Sequence, residues 1–282
     1  MNRRADDALL LAGSDVGGDL DSFVHRLGTV FATFDRQDSG CRSYGVEMDG
    51  RRLFLKGSVE PRALPSLRRA VSLHGAVRHP AIIPLLASTT TDQGLLLAYP
   101  WVDGEVLYGA PTSGATQRSD PNGAHARFRA LPLGEVLGAL EAIFDAHGAV
   151  TAGGFVAVDL YDGCFIYDFG RRQMWLCDLD EYRPGPFVVE EERLPGSRRF
   201  MAPEEFRKGA TADERTTGFN LGRAALVLLD TGDLDGIFRG GRAMYDVLVR
   251  ATQASPAQRF PKVAEFIAGW RKAIRLDGAG LG

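Results

Sequence analysis

The chain has 282 residues, of which 45% are hydrophobic, enough to bury a large core as one domain or two lobes. Its 33 basic and 36 acidic residues give a net charge of −3 and are scattered, which argues against a nucleic-acid or membrane surface. Three cysteines, Cys41, Cys164 and Cys177, make neither a secreted disulfide framework nor a zinc cluster. Residues 1–36 read as an N-terminal extension. There, Leu20, Phe23, Val24 and Leu27 share one face of a short helix that begins after Asp19 or Asp21. The apolar run Ala8 to Ala12 follows Asp6 and Asp7, the wrong flank for a signal peptide. No apolar run approaches the ~20 residues of a membrane-spanning helix, so a reducing cytoplasm is the expected compartment.

From Tyr44 the pattern turns to strands. Tyr44 to Met48 and Arg52 to Lys56 flank Asp49-Gly50-Arg51, and Asp-Gly is a strong hairpin signal. Ser39-Gly40 and Gly45 are a weak glycine pattern for a loop that covers a phosphate ahead of Lys56. Leu64, Leu67, Val71, His74 and Val77 then mark a helix face that ends before His79-Pro80. Strands are expected over Ile82 to Leu86 and Leu95 to Tyr99, completing a small, mostly antiparallel lobe over residues 37–102. Residues 103–282 read as a larger helical lobe, interrupted early by a Ser-, Gly- and Pro-rich segment, 108–132, expected to be a flexible surface insertion. Leu133 to His147 has helical spacing, Phe219 to Leu229 is apolar nearly all round, and a last helix lies near Val263 to Ile274.

The informative stretch runs from Phe155 to Tyr182. Phe155 to Val158 reads as a buried strand that delivers Asp159. Cys164 to Phe169 and Gln173 to Cys177 then form a hairpin around Gly170-Arg171-Arg172, and its equal arms return Asp178 toward Asp159. Two carboxylates at one sheet edge can position a hydroxyl and hold a metal on a phosphate.

In their order and spacing, these motifs resemble the protein kinase superfamily over roughly Tyr44 to Trp270, and within it a divergent bacterial-type serine/threonine protein kinase. The resemblance implies an α+β, two-lobed protein kinase-like fold: a small antiparallel β lobe with one helix, and a larger, mainly α-helical lobe. It implies Asp159, Asp178 and Lys56 as catalytic residues, and ATP bound by Lys56, Gly45, Val46, Tyr99, Trp101 and Glu105. Mg²⁺ or Mn²⁺ would be held by Asp178, with Asp162 and Asp180 as further candidates. Gly196-Ser197 and Met201-Ala202-Pro203-Glu204 are similar to the end of an activation segment, and Glu204 would pair with Arg259. Arg198 and Arg199 are candidates for reading a phosphate or an acidic substrate.

The chain departs from the family at several positions. Ala157-Val158 precede Asp159 where histidine and arginine are usual, Tyr161 replaces a lysine, and Cys164 replaces an asparagine that holds a second Mg²⁺. A thiol is a poor ligand for that hard ion. Ala70 falls at the position of the helix glutamate that pairs with the lysine, leaving Glu60 or Glu47 as replacements, and Thr217 stands where the central helix normally begins with aspartate. The expected function is transfer of the ATP γ-phosphate to a hydroxyl of a protein acceptor. The alternatives are a pseudokinase that binds nucleotide or a protein partner, and a small-molecule kinase similar to the aminoglycoside phosphotransferases. Ala202-Pro203-Glu204 disfavours the last, because small-molecule kinases usually lack that element.

Overall fold

The computed structural model describes residues 19–35, 39–90, 94–108, 118, 120–232 and 234–279. Ala8 to Ala12 and most of the first half of the 108–132 segment lie outside the described residues. The chain is α+β and divides into two compact units, Met1–Arg78 with Ile83–Asp103, and His79–Ile82 with Gly104–Gly282. Seven α-helices are present among the described residues, and the main sheet is antiparallel and open. None of these helices is long and apolar enough to cross a membrane.

The first unit is a five-stranded sheet in the order β1-β2-β3-β5-β4, formed by Thr29–Phe34, Arg42–Met48, Arg51–Ser58, Leu95–Pro100 and Ala87–Thr90. The Asp-Gly signal acts as expected. Asp49 (φ 51°) and Gly50 (φ 72°) make a two-residue turn that pairs Met48 with Arg51, the left-handed geometry that matches the twist of the strands. Helix α1 (Leu20–Leu27) starts where Asp19 accepts the Ser22 N–H at 2.9 Å. It buries Phe23 and Val24 against Tyr44, Val46, Leu53, Leu55, Leu96 and Ala98. Helix α2 (Leu64–Ala76) buries Leu67, Ala70, Leu73 and His74. The sheet unit therefore carries two helices, the first of which the sequence reading assigns to the N-terminal extension.

Two strand expectations change. Thr29–Phe34 falls within the supposed extension, yet it is the edge strand β1. Both of its faces carry apolar residues, Val30 toward the core and Phe31 toward Trp101, so no alternation marks it. Conversely, Ile82 to Leu86 is not a strand. Pro84 interrupts the run and has no N–H for a ladder, so Ile82 keeps a single parallel bridge to Leu176.

The second unit is built on α4 (Leu133–Ala152) and α5 (Glu214–Leu229), joined by α6 (Arg242–Ala251) and α7 (Val263–Ala279). Phe144 on α4 meets Phe266 and Trp270 on α7 edge-on, with ring centroids 5.0 and 5.5 Å apart. Against these helices lies a three-stranded sheet in the order β6-β8-β9, formed by Glu105–Val106, Phe165–Asp168 and Gln173–Leu176. The expected strand Phe155 to Val158 shortens to β7 (Phe155–Val156), which pairs with β10 (Arg183–Pro184). The 108–132 segment differs from its expectation where it is described. It forms helix α3 (Ala124–Arg129), whose Phe128 and His125 are fully buried, because an aromatic pair spaced by three residues gives even a short helix a core-facing side.

Candidate active site

In the first unit, strand pairing sorts the expected nucleotide-binding residues by face. Lys56 pairs with Ser43 and Leu97, and Phe54 pairs with Gly45 and Tyr99, so Lys56, Gly45 and Tyr99 share one face. Lys56 is 8% exposed, far from the solvated lysine that a bland reading of its strand would allow. Val46 pairs with Leu53 on the opposite face and is fully buried beneath α1, which removes it from any ligand surface. Gly45 also changes meaning. A Cβ there would lie 2.5 Å from Phe31 and 2.8 Å from Trp101, so the space belongs to two packed rings and not to a phosphate. Trp101 stacks further on Arg52, its ring 5.2 Å from the guanidinium carbon. Ala70 is buried and neutral on α2, and Glu60, one of its candidate replacements, accepts from Arg62 at 2.6 Å.

The second unit brings the two central carboxylates together. Asp159 follows β7, and a 3₁₀ turn, Asp162–Cys164, leads into β8. At the far end of the hairpin, the Cys177 N–H donates to the Cys164 carbonyl at 2.9 Å, which sets Asp178 beside that turn. Asp159 has φ 61° and Asp178 φ 59°, both left-handed. Cys164 sits between them. Its buried thiol donates to the Asp159 carbonyl at 3.2 Å. Burial first, then Asp178 and Asp159, push its pKa well above the ordinary thiol value, so it stays a neutral donor. Burial likewise raises the Tyr161 phenol. Tyr161 lies over Gly163, where any Cβ would strike the ring, and its edge meets Tyr108 and Phe200. A neutral phenol can donate a hydrogen bond but cannot supply the positive charge of the lysine that the resemblance leads one to expect there.

Asp162 is not available as a metal ligand, contrary to expectation. It is fully buried, and its two oxygens accept from Arg118 Nε at 2.7 Å and a terminal nitrogen at 2.5 Å. Arg118 lies in turn 3.7 Å from the centroid of the Tyr108 ring. His125 Nε2 stands 3.6 Å from Asp162, beyond hydrogen-bond reach, and burial lowers its pKa to about 4. Composition hid this network, because the segment supplying Arg118 and His125 reads as a polar insertion. Asp180 is 6% exposed, whereas Asp178 is exposed. Glu105, on β6, is exposed and ion-paired with Arg127.

The supports of the Asp159 loop come from α5 and α4. Thr217, at the position where aspartate was expected, accepts the Ala157 N–H at 3.0 Å, so a hydroxyl pins the chain two residues before Asp159. His147 donates from Nδ1 to the Ile143 carbonyl (2.7 Å), so its Nε2 accepts from the Tyr182 hydroxyl at 2.8 Å. Burial holds this imidazole neutral, with a pKa near 4. The sequence reading placed His147 on a helix face and left Tyr182 without a role. Glu204 and Arg259 form the expected ion pair, with N–O distances of 2.6 and 2.9 Å, both residues 3% exposed. Its neighbour Glu205 was not anticipated. Glu205 Oε2 accepts from the Ala202 N–H and from Asn220, and burial pushes its pKa up to about 7.

Of the candidate Mg²⁺ ligands, Asp178 alone is exposed, since Asp162 is taken by Arg118 and Asp180 is buried, and Cys164 is a neutral thiol. Among the described residues no group of three His, Cys, Asp or Glu side chains is placed to hold a metal. One carboxylate still fits the ion, which commonly binds through one or two carboxylates, phosphate oxygens and water. No family model matches the chain, and no curated protein matches it.

Proposed function

We propose that this chain is an ATP-dependent phosphotransferase with a two-lobed, protein kinase-like fold, acting on a hydroxyl of a protein acceptor. The observation that carries the reading is the convergence of Asp159 and Asp178 at the base of the β8–β9 hairpin, with Cys164 between them. The buried Glu204–Arg259 pair and the anchoring of the Asp159 loop by Thr217 support it. Asp159 orients the acceptor hydroxyl and takes its proton. Asp178 would hold Mg²⁺, which when bound neutralises charge on the transferring phosphate. Lys56, a buried lysine on a strand, is suited to the ATP α- and β-phosphates, and Tyr99 and Trp101 to the nucleotide base. Since phosphoryl transfer depends mainly on positioning and charge, these groups are sufficient in kind.

A second reading, a nucleotide-binding module without transfer, is favoured by the Arg118–Asp162 bond and the neutral Cys164 thiol, which leave Asp178 the one exposed carboxylate of the metal set. One experiment separates the two. Purified protein is melted with ATP, with and without Mg²⁺ or Mn²⁺, and incubated with labelled ATP and acceptor proteins. A metal-dependent rise in melting temperature with label transfer, reduced at least about a hundredfold by Asp178→Asn, is the expected result. A melting shift without transfer in either metal selects the second reading, and no shift removes the nucleotide from both.

A further inference from the structure

One face of the five-stranded sheet carries a group of rings beside its buried lysine. Phe54 precedes Lys56 by two residues on β3, about 7 Å along the strand, so both project from the same face. The Phe54 ring lies 6.5 Å from Tyr99 and 6.4 Å from Trp101, centroid to centroid. The Trp101 N–H donates to the Arg52 carbonyl at 3.0 Å, which fixes that indole beside β3. The face thus offers flat apolar rings together with a cation. A nucleoside phosphate presents the complement, a planar base to stack and phosphate oxygens to neutralise.

Another ring already occupies that place. Phe31 is the extra residue of a β-bulge: along β1, Val30 pairs with Val46 and Ala32 with Gly45, and Phe31 falls between them. The bulge turns its ring into the notch left by Gly45, where any Cβ would lie 2.5 Å from Phe31 and 2.8 Å from Trp101. There the ring stands edge-on to Trp101, centroids 4.8 Å apart, with the Arg52 guanidinium carbon 4.9 Å from its centre. Yet β1 is an edge strand, and 41% of Phe31 remains exposed. A ring so little buried stabilises the sheet weakly, whereas its contacts with an indole and a guanidinium are of the kind that a nucleobase makes equally well.

We propose that Phe31 is a built-in occupant of the base-stacking place on Trp101, and that a nucleotide binds by displacing it. The nucleotide here rests on the phosphotransferase reading. Displacement needs only rotation of a half-exposed side chain, with the β1–β2 ladder left intact. Apparent affinity is lowered by the fraction of molecules whose ring is in place, so removal of the ring raises it. Phe31 competes with the base and not with the phosphates, and the gain is confined to ligands that carry a base.

The test is calorimetric titration of the full chain, in Mg²⁺, with ATP, adenosine and inorganic triphosphate. Phe31→Ala should bind ATP and adenosine roughly three- to tenfold more tightly than the unaltered chain, and inorganic triphosphate equally. Phe31→Thr, a residue suited to an edge strand, gives the same reading if Phe31→Ala lowers the melting temperature. ATP bound no more tightly by both variants, when the unaltered chain binds it, overturns the displacement and leaves the phosphotransferase reading in place. An equal gain for inorganic triphosphate overturns it as well, because a general opening of the face then accounts for the change. Transfer of label from ATP to acceptor proteins is measured in parallel. Tighter adenosine binding by the variants without any transfer keeps the displacement and removes the phosphotransferase reading. If neither the unaltered chain nor the variants bind ATP or adenosine, both fall.

Discussion

Two buried carboxylates of the second unit are each gripped by an arginine, and the two grips differ in how completely they are closed. Glu204 accepts both arms of Arg259 and the Thr216 hydroxyl, while Arg259 also donates to the carbonyls of Gln253, Ala254 and Arg215. Asp162 accepts both arms of Arg118, but that arginine keeps 22% of its side chain in contact with solvent and arrives from a polar segment. The first pair ties the 203–206 turn to the helices beneath it. The second ties an exterior segment to the loop of Asp159. A pair closed off from solvent makes a scaffold, and a pair that solvent reaches makes a tether.

This contrast can be broken by experiment. Glu204→Gln or Arg259→Met leaves a buried charge or donor unpaired, and should lower unfolding free energy by about 3–5 kcal/mol in urea titrations. A smaller loss than that caused by Arg118→Ala would invert the comparison. Next in size is Glu205, beside Glu204. With its pKa pushed up to about 7, the folded chain keeps a proton that the unfolded chain releases above about pH 4.5. Its contribution is therefore full below pH 4.5 and is lost as pH rises through 7, up to about 3 kcal/mol. His74, His125 and His147, all lowered to about 4 by burial, act in the opposite sense, since their contribution is lost as pH falls through 6.5 toward 4. Stability of the chain should thus rise between pH 4 and 6.5, and the difference between wild type and Glu205→Gln should isolate the opposing slope. A difference curve flat from pH 5 to 8 would show that Glu205 titrates normally. The smallest effect is Arg118→Ala, about 1–2 kcal/mol after allowing for solvent at the guanidinium, with faster hydrogen exchange at Tyr161 to Cys164 as the local readout.

Much of the fold was legible because it rests on local signals. The Asp49-Gly50 turn, the Asp19 cap and the helical spacing of Leu133 to His147 each act over a few residues, so the chain announces them. The Glu204–Arg259 pair spans 55 residues and was legible only through the resemblance, with no local pattern to mark it. What stayed hidden joins positions with neither kind of marker. Arg118 reaches Asp162 across 44 residues from a segment whose composition suggests a surface loop. Val46 looked like a nucleotide contact, yet strand register, fixed by pairing with Leu53, turns it to the face opposite Lys56. Gly45 looked like room for a phosphate until Phe31, from a strand absent from the sequence reading, filled it.

The backbone at Asp159 and Asp178 has a consequence for what these positions tolerate. At φ near 60° a Cβ crowds its own carbonyl, and glycine, asparagine and aspartate adopt the conformation most readily. The fold itself thus favours a few residue types at both positions before any chemistry acts on them. An aspartate here is accordingly weaker testimony to function than an aspartate on a strand. It also makes asparagine the replacement that removes the charge while keeping both the chain's path and the side chain's size. Alanine or glutamate at either position would confound a lost carboxylate with a displaced loop.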